Sequence, residues 1–287
     1  MKPPPAHWSI LYRGPLSSCN YACGYCPFAK TRNTPAELRD DAERLARFAA
    51  WAGGRAEKLG ILFTPWGEAL GHRYYQQALA ALSHTGNVRR VAIQTNLAHR
   101  LDWVADANPA TLALWCTFHP TEVNRERFVR QCHRLDARGI RYSVGVVGVR
   151  EALAELAPLR DRLRPAVYVW VNAYKRTPDY YTAGELARLT AFDPWFPLNN
   201  RRHASRGRAC RTGHTVFSVD GAGDARRCHF VRDIIGNIYA PDFAARLQPR
   251  PCPAETCGCH IGYAHLEHLE LEKVFGAGLL ERIPSPA

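Results

Sequence analysis

The fold is decided by one short stretch of the sequence, Ser18-Cys19-Asn20-Tyr21-Ala22-Cys23-Gly24-Tyr25-Cys26-Pro27. It places three thiols within eight residues, with no fourth thiol nearby. Three is an odd number for disulfides, and structural zinc sites usually close a tetrahedron with paired Cys or Cys/His units. Three clustered thiolates instead suit an iron–sulfur cluster that keeps one iron open, and an open iron can bind a substrate or a cofactor.

The spacing Cys19-x3-Cys23-x2-Cys26, with aromatic Tyr25 directly before the last thiol, resembles the signature of the radical S-adenosylmethionine (radical SAM) superfamily. In that superfamily three thiolates hold a four-iron four-sulfur (4Fe-4S) cluster, and S-adenosylmethionine (SAM) chelates the fourth iron. The resemblance implies reductive cleavage of SAM to methionine and a deoxyadenosyl radical, which abstracts hydrogen from a substrate. It also makes Tyr25 a SAM contact. The alternative is a zinc knuckle or three unpaired thiols.

Length and composition indicate one sizeable core and a smaller second domain, because the chain has 287 residues. The formal net charge of +12 permits an anionic partner without identifying one. The Pro-rich residues 1–9 lack the apolar core of a signal peptide, and no run is long enough to span a membrane. We therefore expect a cytoplasmic protein, in which ten cysteines are metal ligands or buried thiols rather than disulfides.

Apolar runs alternate with amphipathic helical stretches over the first two thirds of the chain. The predicted strands are residues 8–12, 59–63, 89–94, 111–118, 140–149 and 166–171. The predicted helices are about 34–54, 72–83, 100–106, 121–138, 151–163 and 183–191. Strands separated by helices favour a parallel sheet, and six such units fit an α/β fold with a partial (β/α)6 barrel.

Barrel enzymes place their chemistry at the C-terminal ends of the strands, and polar or glycine-bearing segments follow these ends repeatedly. The cysteine loop follows the first strand, and Trp66-Gly67-Glu68 follows the second. The resemblance places this tripeptide at the Gly-Gly-Glu motif that holds the methionine amino group of SAM. Trp66 replaces the first glycine, which puts the path of the loop in doubt. Gly67 still permits close backbone approach, and Glu68 offers a charge partner for an ammonium.

Other strand-end residues are candidate SAM contacts. By the resemblance, Thr95, Asn96 and Thr117 would bond the ribose and the methionine carboxylate, and strand-end capping is the alternative. Gly145 and Gly148 would leave room for an adenine against the backbone, or mark a bulge.

Three further side chains of this region are assigned other roles. His119 is predicted to make structural hydrogen bonds, with a substrate role as the alternative. We expect Cys116 and Cys132 to lie in the core.

The character of the sequence changes after residue 192, where prolines and arginines accumulate, and we place a domain boundary at 195. The arginines 201, 202, 206, 208 and 211 form a solvated linker or, alternatively, an anion pocket. We predict a β-hairpin from residues 215–219 and 225–228, turning at Asp220-Gly221. An amphipathic helix is predicted for 262–280, packed on the barrel or on a partner.

Five cysteines lie in this C-terminal part: Cys210, Cys228, Cys252, Cys257 and Cys259. Their arrangement resembles the SPASM and twitch auxiliary domains that follow the barrel in many radical SAM enzymes. The resemblance implies a second, auxiliary 4Fe-4S cluster held by four of the five, with one spare cysteine that the sequence does not identify. A zinc ribbon is the alternative.

The sequence thus predicts a radical SAM barrel at 1–195, an auxiliary-cluster domain at 196–262, and a C-terminal helix and tail at 263–287. Hydrogen-atom abstraction from a peptide or protein side chain is the favoured reaction. The rivals are dehydrogenation of a small molecule and a non-enzymatic zinc protein acting on nucleic acid, a partner that we do not expect. The expected partners are the substrate and a cytosolic electron donor such as flavodoxin or ferredoxin, with no membrane.

Overall fold

The computed structural model describes residues 7–28 and 30–285 and contains one large sheet flanked by helices. The strands are β1 (His7–Arg13), β2 (Lys58–Phe63), β3 (Val88–Thr95), β4 (Leu112–Phe118), β5 (Arg141–Val147), β6 (Val169–Asn172), β7 (His203–Ala204), β8 (Val216–Asp220), β9 (Asp224–Arg226), β10 (Ile234–Asn237) and β11 (Thr256–Cys257). The helices are α1 (Pro35–Gly53), α2 (Arg73–Ser83), α3 (Arg125–Ala137), α4 (Arg150–Leu153), α5 (Leu156–Arg160), α6 (Ala183–Phe192), α7 (Phe196–Asn199), α8 (Phe243–Arg246), α9 (His260–Tyr263) and α10 (Leu271–Phe275).

The main sheet has nine strands in the order β10-β9-β8-β1-β2-β3-β4-β5-β6. All neighbours from β8 to β6 pair in parallel, whereas β9 and β10 are antiparallel additions at one edge. Its end strands, β10 and β6, do not pair with each other, so the sheet stays open. The predicted partial barrel of six parallel strands is confirmed. A seventh parallel strand, β8, joins it next to β1.

The two faces of the sheet have different cores because successive side chains of a strand point to opposite sides. On the convex face, Trp8, Ile10 and Tyr12 of β1 belong to the large core formed with the helices. On the concave face, Leu11 belongs to a smaller cluster that includes Trp115 and Trp170. Side chains of alternate register on each strand therefore point toward the side of this smaller cluster.

The helices of the first half begin and end close to their predicted bounds. Helix α1 starts with a capping box, in which Thr34 accepts a hydrogen bond from the Glu37 amide and the Glu37 carboxylate accepts one from the Thr34 amide. The predicted helix at 100–106 is a 3-10 helix, Asp102–Asp106. The predicted helix at 151–163 is split into α4 and α5. Pro158 explains the split, since a proline ring clashes with the carbonyl four residues earlier, here that of Ala154.

The predicted hairpin forms, but it belongs to the main sheet. Strand β8 pairs in parallel with β1, with Ser9 opposite Val216, and β9 then pairs with β8. The sheet therefore continues past residue 195. The division into domains at that residue stays a prediction, and the segment beyond it contributes both to the sheet and to the small β7–β11 pair.

The prediction of one amphipathic helix at 262–280 is wrong. This region contains the short pieces α9, α10 and two 3-10 helices, Glu267–Leu269 and Gly276–Gly278. Left-handed backbone at Glu270 (φ 49°) and positive φ at Gly276 (47°) interrupt the helical path. The segment packs into the concave side of the sheet, where Ile261 and Leu280 join the cluster of Trp115 and Trp170.

Two charged residues are buried at the end of this segment. Glu281 is fully buried, and its Oε1 lies 3.2 Å from Arg90 Nε and 3.0 Å from Arg141 Nη1. Arg282 is 1% exposed, and its guanidinium lies 4.3 Å from the ring centroid of Trp170. The C-terminal segment is thus tied to β3 and β5 by charge as well as by apolar contact.

Replacing Glu281 by alanine is expected to destabilise the chain strongly. The change leaves two partly buried guanidinium groups without their counter-charge, which should lower the free energy of unfolding by about 3 kcal/mol. Burial raises the pKa of Glu281 to about 7, so urea unfolding should be measured at pH 8, where the carboxylate is ionised.

The matched control is Glu255→Ala, because Glu255 forms an exposed pair with Arg206 (2.7 Å). An exposed pair contributes less than about 1 kcal/mol. Equal small losses in the two variants would show that the Glu281 pairs do not hold the segment.

No helix within the described residues is both long and apolar enough to cross a membrane.

Candidate active site

The cysteine loop lies at the C-terminal end of β1, which pairs with β8 on one side and with β2 on the other. All three thiols are free, with Cys23 buried and Cys19 and Cys26 partly exposed. The Cys26 amide donates to the Cys23 carbonyl (3.1 Å), and Lys30 Nζ donates to the same carbonyl (3.0 Å). Burial raises the pKa of the Cys23 thiol to about 11. Iron would replace these protons, since thiolates are the metal ligands.

Gly67 is in contact with the backbone of the cysteine loop. A Cβ atom at this position would lie 1.8 Å from the carbonyl oxygen of Ser18, which directly precedes Cys19. The next amide, that of Glu68, donates to the same oxygen (3.0 Å). Only glycine allows this approach, because the obstructing atom belongs to the backbone and cannot rotate away.

Glu68 ties the loop after β2 to the end of β3. Its buried carboxylate accepts hydrogen bonds from the Leu70 amide (3.0 Å), the Thr95 hydroxyl (2.9 Å) and the Asn96 amide (2.6 Å). Burial raises its pKa to about 7, and these donors act in the opposite direction. Glu68, Thr95 and Asn96, which the sequence predicts to share a site, therefore lie together. The carboxylate of Glu68 is already hydrogen-bonded within the protein.

Asn96 continues this network to the cysteine loop. Its Nδ2 lies 2.9 Å from Asn20 Oδ1 and 3.8 Å from Cys19 Sγ. The segments that follow β1, β2 and β3 thus meet near the thiol of Cys19.

Tyr25 and His119 lie on the other side of the loop. Tyr25 Oη is 2.7 Å from His119 Nδ1, and the two rings stack with centroids 5.9 Å apart. The same ring nitrogen is 3.5 Å from Cys23 Sγ. Burial lowers the pKa of His119 to about 4, so the imidazole is neutral at pH 7. His119 thus makes structural hydrogen bonds to the loop, as the sequence predicts.

Thr117 and Gly145 are register partners on β4 and β5. The space at Gly145 is filled by the indole of Trp170, because a Cβ atom there would lie 2.0 Å from that ring. At Gly148, a Cβ atom would lie 2.4 Å from Tyr181 Oη. Aromatic packing therefore explains both glycines without a ligand, and an adenine contact at Gly145 stays a prediction. Cys116 and Cys132 are fully buried in the core, as expected.

Sequence reasoning missed several residues that face the same end of the sheet. Arg13, the last residue of β1, donates from Nε to the Thr64 carbonyl (2.7 Å) and lies 4.0 Å above the ring of Trp66. His229 Nε2 is 2.8 Å from Thr64 Oγ1. The alternation of side chains along a strand could have predicted the direction of Arg13. Residues two apart point to the same face, and Leu11 points to the concave side. No local signal marks His229, whose position depends on the pairing of β8 with β1.

Arg227 makes hydrogen bonds to two segments that carry C-terminal cysteines and directly precedes a third cysteine, Cys228. It is buried beside Cys228, and its guanidinium donates to Thr212 Oγ1 (3.3 Å) and to the Arg250 and Pro251 carbonyls. Thr212 Oγ1 lies 3.1 Å from Cys210 Sγ, and Pro251 precedes Cys252. The clamp therefore joins the segments that carry Cys210, Cys228 and Cys252.

The remaining two C-terminal cysteines occupy different surroundings. Cys257 lies on β11, and its Sγ would be 2.7 Å from a Cβ atom at Gly262. Burial raises its pKa to about 12, with contributions from Cys228, Cys259 and Cys252, which places it among the other thiols.

Cys259 is the exposed member of the five C-terminal cysteines. Burial by the surrounding chain raises the pKa of its thiol, and the charges of Lys175, Arg13 and Arg282 oppose that rise. Its thiol thus has three cations nearby, as well as the thiol of Cys257.

The donor sets fit iron–sulfur clusters in their chemistry, with three free thiols on one loop and five free thiols in the C-terminal part. No group of three His, Cys, Asp or Glu side chains in the described part of the chain is arranged for a single metal ion. A four-iron cluster spreads its thiolate ligands over a larger volume than one ion does.

Comparison with known proteins bears on the fold. No protein-family model and no curated protein sequence matches the chain. Among solved structures, SuiB of Streptococcus suis matches with a TM-score of 0.55 at 15% identity, covering 85% of this chain and 66% of SuiB. The enzyme anSMEcpe with bound AdoMet matches with a TM-score of 0.54 at 15% identity, covering 80% of this chain and 78% of that one. Its complex with AdoMet and the Cp18Cys peptide gives a TM-score of 0.52 at 15% identity, with 82% and 78% covered.

The chain spans just under two thirds of the length of SuiB. At about 15% identity, these matches show similarity of fold alone. The matched proteins are radical SAM enzymes. The chain therefore has the fold of the radical SAM enzymes, as the cysteine motif led us to expect.

Proposed function

We propose that the chain is a radical SAM enzyme that abstracts a hydrogen atom from a peptide or protein side chain. The observation that carries the proposal is the convergence of the Cys19, Cys23 and Cys26 loop with Gly67 and Glu68, at the C-terminal edge of a sheet with this fold. The three thiols would hold a 4Fe-4S cluster. When bound, cluster and SAM would supply the electron and the deoxyadenosyl group for hydrogen abstraction.

The residues of the chain would bind, orient and shield the cofactor. Gly67 lets the loop after β2 lie against the cysteine loop, and Glu68 fixes the end of β3 through Thr95 and Asn96. We propose that this fixed edge contacts SAM, with the remaining contacts from Tyr25, Trp66, Thr117 and Gly145. The positions of Thr95 and Asn96 support the proposal because both are held rigidly by a buried carboxylate.

A second, auxiliary 4Fe-4S cluster is proposed at the C-terminal cysteines, with Cys210, Cys228, Cys252 and Cys257 as ligands. The Arg227 clamp supports the first three, and the position of the Cys257 thiol supports the fourth. Cys259 is then the spare cysteine. Because four thiolates leave no iron open, this auxiliary cluster would accept the second electron of an oxidation rather than bind the substrate.

A peptide or protein substrate is favoured because anSMEcpe, whose fold this chain shares, has been crystallised with AdoMet and a peptide. Dehydrogenation of a small molecule would use the same cofactor residues and differ in the substrate pocket. Product analysis after incubation with candidate peptides, sugars and amines separates these reactions.

Anaerobic reconstitution tests the proposal as a whole. The expected product is a brown protein with about eight irons, which two four-iron clusters require. With dithionite and SAM it should release deoxyadenosine. Stoichiometric zinc without iron would instead support the non-enzymatic zinc protein.

The iron content of two single variants should identify the spare cysteine. Cys257→Ala is expected to lower the iron content below about eight and to change the spectrum of the reduced auxiliary cluster, because one iron loses its thiolate ligand. Cys259→Ala should keep about eight irons, since Cys259 is the cysteine that we propose binds no metal. The measurement is iron per protein together with the electron paramagnetic resonance spectrum of the reduced protein. Loss of iron in Cys259→Ala alone would contradict the assignment.

A further inference from the structure

A pocket rich in arginine lies on the outer side of the sheet, between the segment after β3 and helix α3. Its volume is about 410 Å³. The residues around it are Ala98, His99, Arg100, Arg127, Arg130, Gln131 and Arg134. Arg127, Arg130 and Arg134 follow one another at helical spacing on the exposed face of α3, whereas Phe128 and Leu135 face the core.

The charge of this pocket is only partly neutralised by the protein itself. Arg100 pairs with Asp102 (2.7 Å), and Arg134 donates to Gln131 Oε1 (2.9 Å). Arg127 and Arg130 form no ion pair with any of the residues that the structure describes. The pocket therefore presents unpaired positive charge to solvent, and this charge can attract an acidic partner.

The segment that precedes each wall of the pocket is bonded to the cysteine loop. On one side, Asn96 contacts Asn20 and Cys19, and it lies two residues before Ala98 on the pocket wall. On the other side, the Glu122 carboxylate accepts from the Ala22 amide (3.2 Å) just before α3 begins. The unpaired Arg127 and Arg130 thus lie on the helix that follows the Glu122 contact to the cysteine loop.

We propose that this arginine pocket is the docking surface for an acidic one-electron carrier protein that reduces the cluster at Cys19, Cys23 and Cys26. The inference rests on the proposed function and adds the place and the charge of the electron donor. A carrier protein must approach from solvent, and the arginine pocket is exposed on the helix whose preceding segment contacts the cysteine loop through Glu122. Opposite charge steers such encounters and sets their orientation.

The test compares two reductants in a double charge-reversal variant, Arg127→Glu with Arg130→Glu. Reconstituted protein is supplied with SAM, and deoxyadenosine is measured with reduced flavodoxin or with dithionite. Like charges at a docking surface cost several kcal/mol, so the flavodoxin-supported rate at low salt should fall by at least about tenfold. The rate with dithionite, a small reductant, should stay within about twofold of the parent rate.

A second readout does not depend on turnover. The affinity of oxidised flavodoxin for the protein, followed by flavin fluorescence anisotropy, should fall in the variant and weaken with added salt in the parent. Arg89→Glu with Arg188→Glu is the matched control, because both arginines are exposed and Arg89 lies at the opposite end of β3. It should preserve both the rate and the affinity.

Three outcomes overturn the inference. Unchanged flavodoxin binding and rate in the Arg127/Arg130 variant would exclude docking at the pocket. An equal loss with flavodoxin and dithionite would assign the arginines to the SAM or substrate site instead. A parent protein that releases no deoxyadenosine even with dithionite would reject the proposed function, and the docking inference with it.

Discussion

Cys23→Ala is expected to abolish the release of deoxyadenosine from SAM. Cys23 is the buried member of the three thiols and is held by its own loop and by Lys30. Removing one of three thiolates leaves the cluster with too few ligands, and no fourth cysteine lies on the loop to replace it. Deoxyadenosine should be quantified by chromatography after anaerobic reconstitution with dithionite.

The control for this variant is Cys259→Ala, which removes a thiol that we propose binds no metal. It should release deoxyadenosine at the parent rate. If Cys23→Ala also cleaved SAM at the parent rate, the site would be wrongly assigned, whatever the iron content of the C-terminal region.

Gly67→Ala should lower the rate of SAM cleavage by about a hundredfold, because displacing a site by about 1 Å can cost that much. The added methyl group would overlap the Ser18 carbonyl, which is backbone, so the cysteine loop or the loop after β2 must move. Either movement breaks the hydrogen bond from the Glu68 amide to that carbonyl. The rate should be measured with dithionite at saturating SAM.

Gly24→Ala is the matched control for Gly67→Ala. Gly24 lies within the cysteine loop itself, but a Cβ atom there would have no neighbour within 4 Å among the described residues. The control should retain the parent rate. Equal rates for both glycine variants would mean that the two loops are not in contact in solution.

The sequence was informative where the pattern is local. The six predicted strands form because each is a buried apolar run flanked by helices, and such runs are recognisable without knowing their neighbours. The cysteine loop and the Gly67-Glu68 pair follow directly from the ends of strands already identified. Their meeting could be predicted because the C-terminal ends of parallel strands lie on one edge.

Non-local features escaped prediction for a physical reason. The sequence of β8 predicts a hairpin strand, and nothing in it specifies β1 as the parallel neighbour. Gly145 suggests open space in the sequence, but Trp170 occupies that space from another strand. The final segment has helical periodicity, yet it breaks at Glu270 and Gly276 because it must fold into the concave side of the sheet.

The pairing of β1 with β8 determines the order in which the chain can complete its sheet. A ribosome releases β1 about two hundred residues before its partner β8 has been synthesised. Until then one side of an apolar strand has free amides and carbonyls, which is a template for aggregation. We therefore expect fragments that end before residue 216 to be recovered from cells as inclusion bodies.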